Sequence, residues 1–274
     1  MIKELLLLLM HKFMKKIEFV SSLPGVSDLY PIKNAKDVKP EWIIKAIEDL
    51  QNLKNTDIKY KHITKCPGIF DLFKTGYIVS MWYDVYIKTE KEKPGFSWRI
   101  ADGDLIKNSQ MQIIDTHGDK ITNHIPVRKG QLKDIVKINT PYQIIAPKNL
   151  KFIFLPIAYP DHFDYESTIG ILDPSISNEL NIQLKWNILE GEILIKAGTP
   201  LMQIIPLSDE NFDIVCREET QREKMWRDKK RFFNTHTFNT SKIRNKIKDV
   251  YERYFKWYKL FLQHLFTNQI IFTI

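Results

Sequence analysis

Two His-x-Asp pairs, His117/Asp119 and His162/Asp164, are the residues of this sequence best suited to hold a metal ion. One such pair plus a distant histidine is the facial triad of non-haem iron oxygenases, in which open positions on Fe(II) take oxygen and substrate. His162, Asp164 and His236 would compose it here, although His236 lies in a charged tail away from any strand pattern. Loop His and Asp are more commonly solvated turn residues, and that reading stands beside the metal one. Cys66 precedes Pro67-Gly68 with His62 four residues upstream, a thiol and imidazole that together could serve nucleophilic catalysis. A small buried side chain at a strand entry is the commoner explanation of such a cysteine. Asp102 and Asp104 flank Gly103 and read as hairpin turn chemistry.

The elements that must position these groups are mostly strands. "KIEFV" reads as a first strand, followed by a loop punctuated by Pro24, Gly25 and Pro31. After Pro40, the spacing of Trp42, Ile43, Ala46, Ile47 and Leu50 predicts a helix with one apolar face. Pro67-Gly68 is expected to break the chain, and "GYIVSMWYDVYIKT" reads as one central strand, apolar on both sides. "FSWRI" places Phe96, Trp98 and Ile100 on one face, with "ADGD" turning into "LIKN" as a hairpin. "MQIID", "YQIIAP" and "KFIFLP" are further short strands between Gly, Pro or Asn.

The cleanest pattern lies later. Leu180, Ile182, Leu184, Trp186 and Ile188 alternate with Asn181, Gln183, Lys185 and Asn187, which predicts a strand with one buried and one wet face. Ile193 and Ile195 start another strand, Gly198-Thr199-Pro200 turns, and "LMQII" follows. Residues 180–205 are therefore expected to form antiparallel strands of one sheet system, with Leu184 and Trp186 in the core.

Charge is unevenly distributed along the chain. Between Arg217 and Lys259 there are 14 Lys/Arg against 6 Asp/Glu, which accounts for the whole net charge of +8. A basic region beside a neutral body suggests a phosphate-rich, membrane or acidic-protein contact there, or simply a solvated helix face. From Thr240-Ser241 the apolar residues Ile243, Ile247, Val250, Tyr254, Phe261 and Leu265 recur at helical spacing and predict a helix docked by that stripe. Aromatics alternating with cations in "YERYFKWYKLFLQHLF" would also suit stacked bases or a membrane surface.

The hydrophobic fraction of 43% indicates a folded globule rather than a disordered chain. Cys66 and Cys216 stand too far apart for a metal knuckle or a disulfide framework, which fits a reducing cytoplasm. The apolar run Leu5–Met10 is shorter than the roughly 20 residues a bilayer span needs. It also lacks the cleavage site of a signal peptide, and Met14 opens a more ordinary beginning.

Two resemblances arise on quoted residues. The segment from Gly170 to Ile205, with "GILDPSISN" and "IKAGTPLMQII", resembles the C-terminal block of the dUTPase/dCTP-deaminase β-clip family. The resemblance implies a β-clip, a nucleotide substrate with Mg, and Asp173 as the general base. Ile176-Ser177-Asn178 stand where that family has Tyr-Arg-Gly, and its Arg-Ser-Ser phosphate motif is missing. No glycine follows Gly198, so the Gly-rich arm that closes on phosphates is also missing. "KPEWI", "KCPGIFDLFKTGYIV" and "IKAGTPLMQIIPL" resemble an uncharacterised group of tailed-phage and marine-bacterial proteins, which carries no catalytic residues to transfer.

The expected architecture is mainly β (α+β): an N-terminal extension over 1–14, an antiparallel β-sandwich or β-clip-like body over 15–216, and a basic helical extension over 217–274. The expected function is non-catalytic binding or assembly of phage type, in the host cytoplasm or the virion, with no cofactor. A protein partner or self-assembly is expected, with nucleic acid contacted through 217–259. The alternatives are a nucleotide-directed enzyme using Asp173 and Mg, and an oxygenase using Fe on His162, Asp164 and His236.

Overall fold

A computed structural model describes residues 15–236 apart from 54–58, 60, 92, 102–110, 119–121 and 123. Asp119, the Asp102/Asp104 turn with "LIKN", the apolar run at Leu5–Met10 and the helix expected from Thr240 lie outside the described residues. The chain divides into two compact units, Met1–Glu219 and Thr220–Ile274.

In the first unit, β1 (Lys15–Ser21) is followed by α1 (Val26–Leu29), β2 (Lys33–Asn34), α2 (Glu41–Asn52) and α3 (Pro67–Lys74). Next come β3 (Tyr77–Ser80), β4 (Val85–Glu90), β5 (Lys93–Ile100), β6 (Ile114–His117), β7 (Ile135–Ile145) and β8 (Phe152–Pro156). The body closes with β9 (Tyr165–Ser167), β10 (Gly170–Leu172), β11 (Glu179–Trp186), β12 (Gly191–Ile195), β13 (Pro200–Pro206) and β14 (Phe212–Glu218). The second unit contains α4 (Gln221–His236), opened by Thr220, whose backbone and hydroxyl donate to Glu223 while Glu223 N–H donates back. That reciprocal pairing is a capping box.

Three sheets surround one core. The first runs β14-β1-β7-β11-β9 with β6 also on β7; the second runs β10-β8-β13-β3-β2; the third is β12-β4-β5. Ile17 and Phe19 of the first sheet, Val79 and Ile204 of the second, and Val85 and Ile87 of the third belong to a single buried cluster. The mainly β architecture with a C-terminal helix agrees with the sequence reading. Alternation along β11 is complete, with Leu180, Ile182, Leu184 and Trp186 all at 0% exposure. Period-two patterning forces this, since successive side chains leave opposite faces of a strand.

Several expectations are corrected. Residues 180–205 do not share a sheet: β11, β12 and β13 each go to a different one. "GYIVSMWYDVYIKT" is two strands in two sheets rather than one. The corner between them passes through the core, where Met81 exchanges backbone hydrogen bonds with Thr199 and Gly198 at 2.8 and 2.7 Å. Asp84 there accepts Ala197 N–H at 2.6 Å, and Trp82 Nε1 donates to Asn139 O at 3.2 Å. A buried corner is as apolar as a buried strand, so composition alone does not separate them.

Pro67 opens α3 instead of breaking the chain, its missing N–H being one the first helical turn leaves unpaired anyway. "FSWRI" pairs with β4 and Trp98 is 39% exposed, while the hairpin expected from it into "LIKN" falls outside the described residues. The pairing of β1 with β14 is parallel, an exception to the antiparallel rule followed by the other paired strands.

Candidate functional site

The loop over residues 157–164, between β8 and β9, gathers the aromatic and titratable side chains that stand out from this scaffold. Tyr159 has φ 50°, a left-handed conformation rare outside glycine. Its backbone oxygen accepts Trp42 Nε1–H at 2.9 Å, and its ring lies 5.8 Å from that of Trp42. Phe73 of α3 completes the group, 6.0 Å from Trp42 and 6.5 Å from Tyr159. Two residues on, Asp161 Oδ2 accepts Glu41 N–H at 3.3 Å, at the start of α2. The residue before Glu41 is Pro40, whose side chain cannot cap a helix, so a distant carboxylate takes that role.

The second half of the loop is tied to the first sheet. Asn187 N–H donates to Asp164 O at 2.7 Å and its side-chain amide to Phe163 O at 2.7 Å. Gln131 Nε2 in turn donates to Asn187 Oδ1 at 2.9 Å. Phe163 therefore has a clamped backbone, yet the residue is 76% exposed. His162 packs on Tyr165 with centroids 4.6 Å apart, and Tyr165 stacks on Trp186 at 5.4 Å and 10°. Burial raises the Tyr165 pKa, with the Asp164 charge adding to the shift. The buried Nδ1 of His162 and the indole N–H of Trp186 have no hydrogen-bond partner among the described residues.

His162 and Asp164 are thus brought together, Nδ1 lying 3.9 Å from Oδ2. Two ligands of the expected iron triad are neighbours; His236 ends α4, and its side chain lies outside the described ones. Among the described residues no group of three His, Cys, Asp or Glu could hold a metal ion. His117 sits on β6 with Nε2 3.4 Å from Gln183 Nε2, on the wet face of its sheet.

Asp173 occupies a turn. Its Oδ1 accepts both Ser175 N–H, at 2.9 Å, and the Ser175 hydroxyl, while its backbone oxygen accepts from Ile176 and Ser177. Oδ2 lies 4.0 Å from Lys151 Nζ. These are the bonds of an Asx turn, which occupy one of the oxygens a general base would use. Cys66 is exposed and precedes α3, not buried at a strand entry, because a helix rather than a strand follows it. His62 Nδ1 is engaged by Thr64, 3.4 Å from its N–H and 3.0 Å from its hydroxyl.

Sequence reasoning picked out His162 and Asp164, placed Trp42 only on the apolar face of a helix, and passed over Tyr159, Phe163 and Phe73. The available signal was "YPDHFD", two aromatics with Pro and two Asp inside a gap between strands. No protein-family model matches the chain, and no curated protein sequence matches it. Among the described residues no helix is long and apolar enough to cross a membrane.

Proposed function

We propose that the protein is a non-catalytic binding or assembly module that engages a protein partner through the loop at residues 157–164. The observation that carries this reading is Phe163, a residue 76% exposed on a backbone fixed by Asn187. An exposed aromatic on a rigid backbone has little ordering entropy left to lose and gains a full side chain's burial on binding. Tyr159, 55% exposed on a left-handed backbone held by Trp42, supplies a second anchor nearby in sequence. Backbone strain of that kind persists where surrounding contacts over-determine it and concentrates at binding sites. The complementary surface is an apolar pocket on another protein. Resemblance to tailed-phage proteins agrees with an assembly role.

The experiment compares baits of the wild type, Phe163→Ala and Leu29→Ala against lysate of the source cell. A protein retained by the wild type and by Leu29→Ala, and lost with Phe163→Ala at unchanged melting temperature, is the expected outcome. Capture indifferent to Phe163 defeats the reading. So does pyrophosphate release from dUTP or dCTP with Mg that disappears on Asp173→Asn, or stabilisation by Fe and 2-oxoglutarate that depends on His162.

A further inference from the structure

The second sheet buries one face and leaves much of the other open. Its inner face carries Phe152, Leu172 and Ile204 into the core. On the outer face Ile171 of β10 is in register with Ile153 of β8, and Ile153 with Ile205 of β13, so an apolar row crosses three strands. Leu207 follows Ile205 by two positions and continues that face, its N–H donating to Lys151 O at 2.8 Å. The end of α3 covers the face at Gln203, two positions before Ile205. Beyond Gln203 the cover stops: Ile171 is 67% exposed, Leu207 50%, and Ile169, just before β10, 70%. A sheet face this apolar normally lies under a second layer.

The chain itself holds a segment that matches. Residues 1–14 lie outside the described ones and include Leu5–Met10, six apolar residues in a row. Such a run has no polar side in a helix or in a strand, so it needs a cover of its own. Its point of attachment adjoins the open face. β1 begins at Lys15, opposite Phe212, and Lys15 Nζ lies 2.8 Å from Glu210 Oε1. Glu210 stands three residues past Leu207, at most about 11 Å of chain. The ten residues from Leu5 to Met14 can span up to about 33 Å, and the row from Ile205 to Ile171 is only about 10 Å wide, two inter-strand spacings. We infer that Leu5–Met10 docks within its own chain on the outer face of the second sheet, over Ile153, Ile171, Ile205 and Leu207, and completes the layer that α3 begins. The short tether selects this occupant. It holds the run at an effective concentration on the order of millimolar, above that of any second copy in dilute solution.

The test uses the full chain. A nitroxide on Lys151→Cys, in a Cys66→Ser, Cys216→Ala background, marks the rim of the open face, because Lys151 is exposed and opposite Leu207. The methyl signals of Leu5–Leu9 should broaden in its NMR spectrum. With the label on Lys185→Cys, on the wet face of the first sheet, they should stay sharp. Leu6→Glu with Leu8→Glu should raise the fluorescence of added anilinonaphthalene sulfonate and lower the melting temperature, since the charged segment leaves the isoleucines bare. Adding Ile171→Lys to that variant should bring the dye signal back down. Absence of broadening overturns the inference. So does a fall in dye signal at unchanged melting temperature, which would show that the run stands free and was itself the dye's site. Broadening that fades on dilution with unlabelled chain assigns the contact to a second copy and overturns it as well. Phe163→Ala should leave every readout unchanged, which separates this face from the loop proposed to bind another protein.

Discussion

Tyr142 is a buried side chain on β7, paired with Ser21 of β1, whose hydroxyl lies 3.1 Å from Val26 O and 2.8 Å from Tyr30 O and anchors the chain around α1. Tyr142→Phe keeps the ring and removes the single O–H that the two carbonyls share, so denaturant unfolding should read a loss of about 1–3 kcal/mol. Tyr77 offers a second residue-scale expectation, in pH. Burial, with the Asp213 charge adding to it, pushes its hydroxyl up to about 12. Between the ordinary tyrosine value near 10 and that value, the folded chain holds a proton that the unfolded chain has released. The contribution is therefore complete below about pH 10 and is lost as pH rises towards about 12. Melting temperature followed across that window should fall less steeply for Tyr77→Phe than for the wild type.

At the scale of elements, the junction of α3 and β3 holds the glycine with the least room among the described ones. Gly76 has φ +75°, and a Cβ there would stand 2.2 Å from Ile204 O and 2.9 Å from Ile205 Cγ1. Gln203 Nε2 binds the end of the same helix, donating to Leu72 O at 2.8 Å and Thr75 O at 2.7 Å. Helix and sheet are thus locked where only glycine fits. Gly76→Ala should cost about 3 kcal/mol or more, read as a large fall in melting temperature or as insoluble expression. Trp186 on β11 is fully buried and stacked on Tyr165; Trp186→Ala should cost about 3–5 kcal/mol through the cavity it leaves. An unchanged melting temperature in either variant would contradict the packing described.

At the scale of the molecule, the body is closed by its own ends. β1 and β14 run parallel along their full length, from Lys15↔Phe212 to Ser21↔Glu218. Arg217 binds Glu18 through two nitrogens, each at 2.7 Å, and Glu218 accepts Gly25 N–H at 2.7 Å. A chain cut after Cys216 removes those contacts, whereas one ending at Glu219 keeps the whole compact unit. The longer truncate should unfold cooperatively, and the shorter should melt lower. The expected body end at 216 therefore moves a few residues, because the last of them belong to a strand. Residues 220–274 hold 13 Lys/Arg and 4 Asp/Glu, which leaves the body at −1 out of +8, so any affinity for an oligonucleotide should depend on them. If six to ten phosphates are contacted, that affinity should fall by about 10³–10⁵ between about 50 and 200 mM salt and vanish in the Glu219 truncate.

The sequence by itself determined what depends on local periodicity and composition. Alternation specified β11 and its buried face, the apolar spacing after Pro40 specified α2, and the charge count separated a basic C-terminal region from a neutral body. Whatever depends on how elements meet was decided only in the tertiary structure. Nothing between Tyr77 and Thr89 signals that the chain turns through the core and changes sheets, because a buried corner and a buried strand use the same residues. The parallel closure of β1 on β14 joins segments nearly 200 residues apart, a pairing no local pattern encodes. His162 and Asp164 were legible as a pair from their spacing. Tyr159 and Phe163 emerged only when Trp42, Asn187 and Gln131, remote in sequence, fixed the backbone of one loop and left its rings in water.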